Sequence, residues 1–371
     1  MNRLVLIGNG FDLAHGLKTS YADFIYWYWK SVVAYLLLES RDVYEDKLCK
    51  VTNNKLDYWN LRNLYHSENK ELYDFLVNND GAIDIEYSLL FERINKSIQT
   101  KRWVDIENEY YFMLRNRVLP INTSSDKDVQ YLNLQLDLLK HHLMTYLNRE
   151  QKSYLSIIEE IKEKIYRQIE EKEIAVSFLK TVDKSLIEDK KPSSVMLLNF
   201  NYTNLPEHYV DDSSNVVVNY IHGKLDKPGS VIFGYGDEFN EDFKRLQSLN
   251  ENECLRHIKS IRYLESDNYR KMLEFIESAP FQVCIMGHSC GNSDRTLLNT
   301  LFEHKNCISI KPYYYINEKG EDNYLELVQN ISRNFTDMKL MRDRVVNKEY
   351  TETLTHATGT GLTHTLLMSD V

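Results

Sequence analysis

Four polar clusters, each closing an apolar run, hold the residues with which this chain could do chemistry. They are Gly8-Asn9-Gly10-Phe11-Asp12 after residues 4–7, Asn201-Tyr202-Thr203 after 195–199, His222-Gly223 after 216–220, and Gly287-His288-Ser289 after 281–286. The first run is short and continuous, as in a parallel strand covered on both faces. Open α/β sheets hold ligands outside the carboxyl ends of their strands, and all four clusters fall there. At the first, Gly8 suits a tight turn and Gly10 lets the main chain approach a ligand with no Cβ in the way. A helix opening near Asp12 would aim free N–H groups at an anion such as phosphate. The third glycine of the usual dinucleotide fingerprint is replaced by Leu13. The turn therefore has a plainer reading too, a strand-to-loop bend that needs positive φ.

In chain order, Gly8-Asn9-Gly10-Phe11-Asp12-Leu13 with Gly16-Leu17-Lys18-Thr19-Ser20-Tyr21, then Asn201-Tyr202-Thr203, Ile221-His222-Gly223, Phe233-Gly234-Tyr235-Gly236 and Gly287-His288-Ser289 form one ordered set. The set resembles the AbiH family of bacteriophage abortive-infection proteins, which is similar to sirtuin-like NAD-consuming domains. The resemblance is close over residues 1–24 and 195–300 and thin elsewhere. It implies an α/β fold: a Rossmann-like parallel sheet with sirtuin-like topology and a large helical insertion. It further implies that Gly8, Asn9 and Gly10 cradle the pyrophosphate of NAD and that Gly287 and Ser289 hold the adenosine half, with Phe11 and Gly223 completing the cofactor-binding set. Asn201 would order the nicotinamide ribose and a water, and His222 would be the general base. The acidic residue that often closes the Asn motif is Thr203 here, a departure at the ribose.

The residue types suit that reaction. Cleaving the nicotinamide–ribose bond passes through a cationic sugar, as glycoside hydrolysis does, and nicotinamide leaves without help from a strong acid. A histidine near its reference pKa of about 6.5 accepts a proton near neutral pH. An asparagine amide donates and accepts without adding charge, and Asp12 could face the cationic ring. Each residue also has a structural reading. His222 could be a half-buried imidazole bonded to a carbonyl, Asn201 or Asn204 an Asx-turn residue, and Asp12, His288 and Asp294 helix caps. The company of motifs favours catalysis for His222 and Asn201.

Composition sets the limits. A chain of 371 residues has room for one large domain with an insertion, or for two domains. The formal net charge of −10, with no basic arm, disfavours direct nucleic-acid binding, whereas a dinucleotide can be held by backbone N–H groups. No apolar stretch is long enough to span a membrane, and the first strand starts two residues after Met1, so a cytoplasmic protein without a signal peptide is expected. The five cysteines make no C-x-x-C pair, and residues 224–279 hold only Cys254. The zinc module of deacetylase-type sirtuins is therefore not expected, nor is any metal.

Three segments are expected: a binding core from residues 1–24 plus 192–345, a helical insertion over 25–191 capping the cleft, and a Thr-rich 346–371 as a tail or oligomer contact. Within the insertion, Leu132, Leu136, Leu139, Leu143 and Leu147 mark one helix face, and Ile158, Ile161, Ile165 and Ile169 another, predicted to pair. Trp103 and Glu107 are candidates to reach the pocket, and 122–126 reads as a loop. The sum is an NAD+ glycohydrolase of bacterial anti-phage defence, with NAD as substrate, no membrane partner, a homo-oligomeric state and a phage component as trigger. The alternatives are a non-catalytic NAD or ADP-ribose sensor and a scaffold gripping a partner through its helical insertion.

Overall fold

The computed structural model describes residues 1–78, 81–101, 105–118, 126–151, 156–181, 191–210 and 215–355. Trp103, most of the 122–126 loop and the tail beyond 355 lie outside the described residues. Two compact units are present. One comprises Met1–Leu17, Gln151–Arg245 and the described residues from His257 onward; the other comprises Lys18–Glu150 with Leu246–Arg256. The described strands are β1 (Asn2–Ile7), β2 (Val43–Glu45), β3 (Cys49–Asn53), β4 (Ile83–Tyr87), β5 (Val195–Asn199), β6 (Val216–Tyr220), β7 (Phe281–Met286) and β8 (Cys307–Tyr313).

The first unit is built on a five-stranded sheet in the order β6-β5-β1-β7-β8, every neighbouring pair parallel. Both faces are covered, and alternation along β1 sorts its residues between two cores. Leu4 and Leu6 pack with Leu198, Ile285, Leu298 and Phe302 on one side; Val5 and Ile7 pack with Leu197, Met286, Phe11 and Tyr209 on the other. Period-two sorting of an unbroken apolar run is what a doubly covered parallel strand requires. Ile161 and Ile165, on the helix Glu159–Tyr166, join the second core. Their apolar face is thus buried against the sheet. Ile169 lies past that helix, in a small cluster with Ile174 and Ile308.

A buried polar network fixes the amino-terminal edge of the sheet. The Arg3 guanidinium donates to the carbonyls of Lys164, Ile165 and Arg167, at 3.2, 2.8 and 2.7 Å, closing the carboxyl end of that helix. It also donates to Gln282 Oε1 at 3.2 and 2.9 Å. Gln282 in turn donates to Glu173, whose carboxylate also meets Lys311. Every member has a partner, as charges taken out of water require.

The second unit adds strands to the expected helices: β2, β3 and β4 form an antiparallel three-stranded sheet. These strands are short, and in Ile83-Asp-Ile-Glu-Tyr87 exposed residues alternate with more buried ones, a period-two pattern that a search for helical faces passes over. The long helix Tyr21–Leu38 is opened by Ser20, whose hydroxyl accepts from the Asp23 N–H at 3.1 Å. Glu107 is buried in this unit, on the helix Ile106–Val118. Among the described residues no helix is long and apolar enough to cross a membrane.

From β1 the chain builds outward through β5 and β6, then returns to the other side of β1 for β7 and β8. The switch point therefore lies between β1 and β7, the place where doubly wound sheets open a crevice. Here the Gly10 N–H donates to the Gly287 carbonyl at 2.8 Å. Gly287 has φ +75°, and a Cβ there would stand 2.1 Å from the Phe11 nitrogen. Gly320 shares the backbone (φ +81°) but has open space around it. Gly320→Ala should cost about 1 kcal/mol, the penalty of the left-handed conformation alone. Gly287→Ala should cost roughly 3 kcal/mol or more, because the backbones must also part. Urea unfolding of the two variants checks this, and equal losses would contradict the close approach.

Candidate functional site

The first Gly turn is satisfied from within. Gly8 is extended (φ −121°) and caps the helix Asn9–Ala14. Its N–H donates to Met286 O at 3.3 Å, Gly10 to Gly287 O at 2.8 Å, and Phe11 to Gly8 O at 2.9 Å. The positive-φ reading of this turn is therefore corrected: the glycines are needed for closeness. A Cβ on Gly8 would lie 2.5 Å from His288 Cα, and one on Gly10 2.9 Å from Gly287 Cα. Asn9 at the tip is exposed and Phe11 is buried.

Asp12 sits inside the short helix and does not cap it. Its buried carboxyl accepts from Asn201 Nδ2 at 2.9 Å and from the Thr203 hydroxyl at 2.8 Å. Asn201 Nδ2 also donates to the Gly8 carbonyl at 2.9 Å, joining segments some two hundred positions apart in the chain. The turn that presents Asn201 is made by Asn199, whose Oδ1 accepts the Asn201 N–H at 3.1 Å and whose Nδ2 donates to Thr203 O at 3.0 Å. The Asx role therefore belongs to Asn199, and Asn201 is left to bridge the glycine turn and Asp12. Burial pushes the Asp12 carboxyl up to about 7, against the opposing hydrogen bonds from Thr203 and Asn201.

His222 joins a second cluster. Its Nε2 lies 3.2 Å from Asp294 Oδ1 and 3.2 Å from the Tyr263 hydroxyl, and its ring stands edge-on to Phe200. Asp294 Oδ1 also receives Lys259 Nζ at 2.9 Å, and Oδ2 faces His288 Nε2 at 3.6 Å. His288 Nδ1 accepts the Cys290 N–H at 3.0 Å, and its ring packs on Phe200 with centroids 4.1 Å apart. His222, Asp294, Lys259, His288 and Tyr263 are all buried. Asp294 precedes the helix Arg295–Phe302, but its side chain does not cap it, so the capping reading of Asp294 and His288 is corrected. Burial would push Asp294 up, but Lys259, followed by His222, holds it well below the usual carboxylate range. Burial, reinforced by the Lys259 charge, holds His222 below its ordinary value.

The Phe233-Gly-Tyr-Gly236 motif positions Lys259. Tyr235 exchanges backbone hydrogen bonds with His257 and Lys259, at 3.0 and 2.9 Å. A Cβ on Gly234 would stand 1.9 Å from His257 O, and one on Gly236 would meet both Ser293 O and Lys259 Cβ. Gly223, after His222, is held at φ +85° against Ser230. Ser289 is exposed, and its carbonyl accepts from Asn330 Nδ2 at 3.0 Å.

The structure thus brings Asn201, Asp12 and Gly8 into direct contact. It groups His222 with Asp294, Lys259 and His288, and the His288 backbone abuts Gly8. Lys259 and Asp294 were not legible as site residues. Asp294 carried only a capping signal, and Lys259 lies in a charged stretch whose partner is set by tertiary packing. Among the described residues no three His, Cys, Asp or Glu side chains converge to hold a metal ion.

An α/β protein whose parallel sheet carries buried polar clusters beyond the carboxyl ends of its strands is what fold and site define. The chain belongs to the AbiH family, bacteriophage abortive infection, whose model matches residues 4–316. Membership implies a role in phage abortive infection. Comparison with curated proteins and with solved structures gives no match.

With its pKa raised, Asp12 favours the neutral form, so its contribution to stability is fully present below about pH 4 and is lost as pH rises through about 7. A gap of that size is worth on the order of 4 kcal/mol. Asp12→Asn removes the titration, so the variant should gain on the wild type between pH 5 and pH 9 in thermal unfolding. A difference that does not change with pH would overturn the assignment.

Proposed function

We propose that this chain is an NAD+ glycohydrolase that depletes the dinucleotide during phage infection. One observation supports the reading most. The carboxamide of Asn201 ties the Gly8 turn to Asp12 at the carboxyl end of the parallel sheet, where dinucleotides bind in doubly wound folds. The motifs' likeness to sirtuin-like NAD-consuming domains supplies the reaction. Water attacks C1′ of the nicotinamide ribose as the C1′–N bond breaks. Nicotinamide leaves neutral with the bonding pair, ADP-ribose forms, and the proton from water passes to His222. A carboxyl poised near neutrality at Asp12 places negative charge where the sugar turns cationic once it ionises. The pyrophosphate then needs donors beyond the N–H groups of Gly8, Gly10 and Phe11, which are bonded to carbonyls.

The burial of His222, whose Nε2 already faces Asp294 and the Tyr263 hydroxyl, favours a second reading, in which the protein senses NAD or ADP-ribose without cleaving it. The two readings separate in one experiment. Purified protein incubated with NAD+ should release nicotinamide, and His222→Ala and Asn201→Ala should each lower turnover about 100-fold or more. Wild-type turnover in both variants would remove these residues from the mechanism. Calorimetric binding with no product would favour the sensor.

A further inference from the structure

We infer that Asp294, locked by Lys259, is the positioning residue that fixes the tautomer of His222 and so makes Nδ1 the proton-accepting atom. The inference rests on the reading of His222 as the base. An ionised carboxylate only accepts hydrogen bonds. The Lys259 ammonium 2.9 Å from Oδ1 keeps Asp294 ionised, and His222 Nε2 at 3.2 Å from the same oxygen must then carry a hydrogen. The lone pair is left on Nδ1. The same logic orients the imidazole of hydrolytic triads, where a buried aspartate holds the ring but does not itself take the proton.

The lysine changes the outcome from that of a bare His–Asp pair. An aspartate alone would draw a proton onto the ring and fill the base before it could act. Here Lys259 neutralises Asp294, so the carboxylate orients the imidazole without charging it. The groups facing His222 are Asp294 and Lys259, with His288 across the carboxylate, the Tyr263 hydroxyl at 3.2 Å, and the uncharged face of Phe200. Burial and the Lys259 charge both act to keep the ring neutral. In the proposed step a proton from water moves to Nδ1, and the resulting imidazolium is stabilised by Asp294 until it is released to solvent.

The test is a long-range proton–nitrogen NMR spectrum of histidine-labelled protein, with the His222 signals assigned by their loss in His222→Ala. The wild type should show the Nε2–H tautomer at pH 7 and stay neutral below pH 6.5. In Lys259→Met the unopposed carboxylate should raise the titration of His222 by at least one pH unit. Lys259→Met with Asp294→Asn leaves no orphan charge in the core; it should mix the tautomers and lower kcat about 10²- to 10⁴-fold while KM stays within about threefold. An Nδ1–H tautomer in the wild type, or an unchanged tautomer in the double variant, overturns the inference. If the double variant does not fold, the wild-type spectrum alone decides. Absence of nicotinamide release would sink the hydrolase reading and leave the tautomer measurement standing.

Discussion

Between Gly10 and Gly287 two backbones meet at a distance no side chain would permit, and the geometry of the site follows from that contact. The hydrogen bond from Gly10 to Gly287 pins the end of β1 to the end of β7 at the switch point of the sheet. With the strand ends held together, His288 is carried against Gly8, and its imidazole is aimed at Asp294. Glycine here answers a packing demand. At Gly8 and Gly10 φ is ordinary, and what matters is the missing Cβ.

Two polar clusters then divide the labour. Around Asp12 the donors are neutral, and burial dominates, so the carboxyl is poised near neutrality. Around Asp294 the donor is a buried ammonium, and the carboxylate stays charged. Two aspartates in one unit thus occupy opposite ionisation regimes because one is given a counter-charge and the other is not.

Sequence made the sheet legible because a parallel strand buried on both faces is written as a continuous apolar run, seen at residues 4–7, 195–198 and 283–286. The clusters closing those runs were legible for the same reason. The three short strands of the second unit were missed because their alternation resembles the surface of a helix-rich segment. The fate of Ile161 and Ile165 was missed because an apolar helix face does not name its partner. Lys259 left no mark at all. Its place is set by Gly234 and Gly236, which let one backbone slide against another, and that relation exists only once the chain has folded.

The position of β1 bears on how the protein is made. This strand is central in the sheet, yet it leaves the ribosome well before its neighbours β5 and β7, which begin only at Val195 and Phe281. At about 5 to 20 residues per second, its apolar side chains and the Arg3 guanidinium wait roughly 10 to 40 s for β5 alone. Through that interval nothing in the sheet can shield them. A nascent chain of this design leans on chaperones, or on the early collapse of its second unit, to keep an exposed central strand from finding the wrong partner.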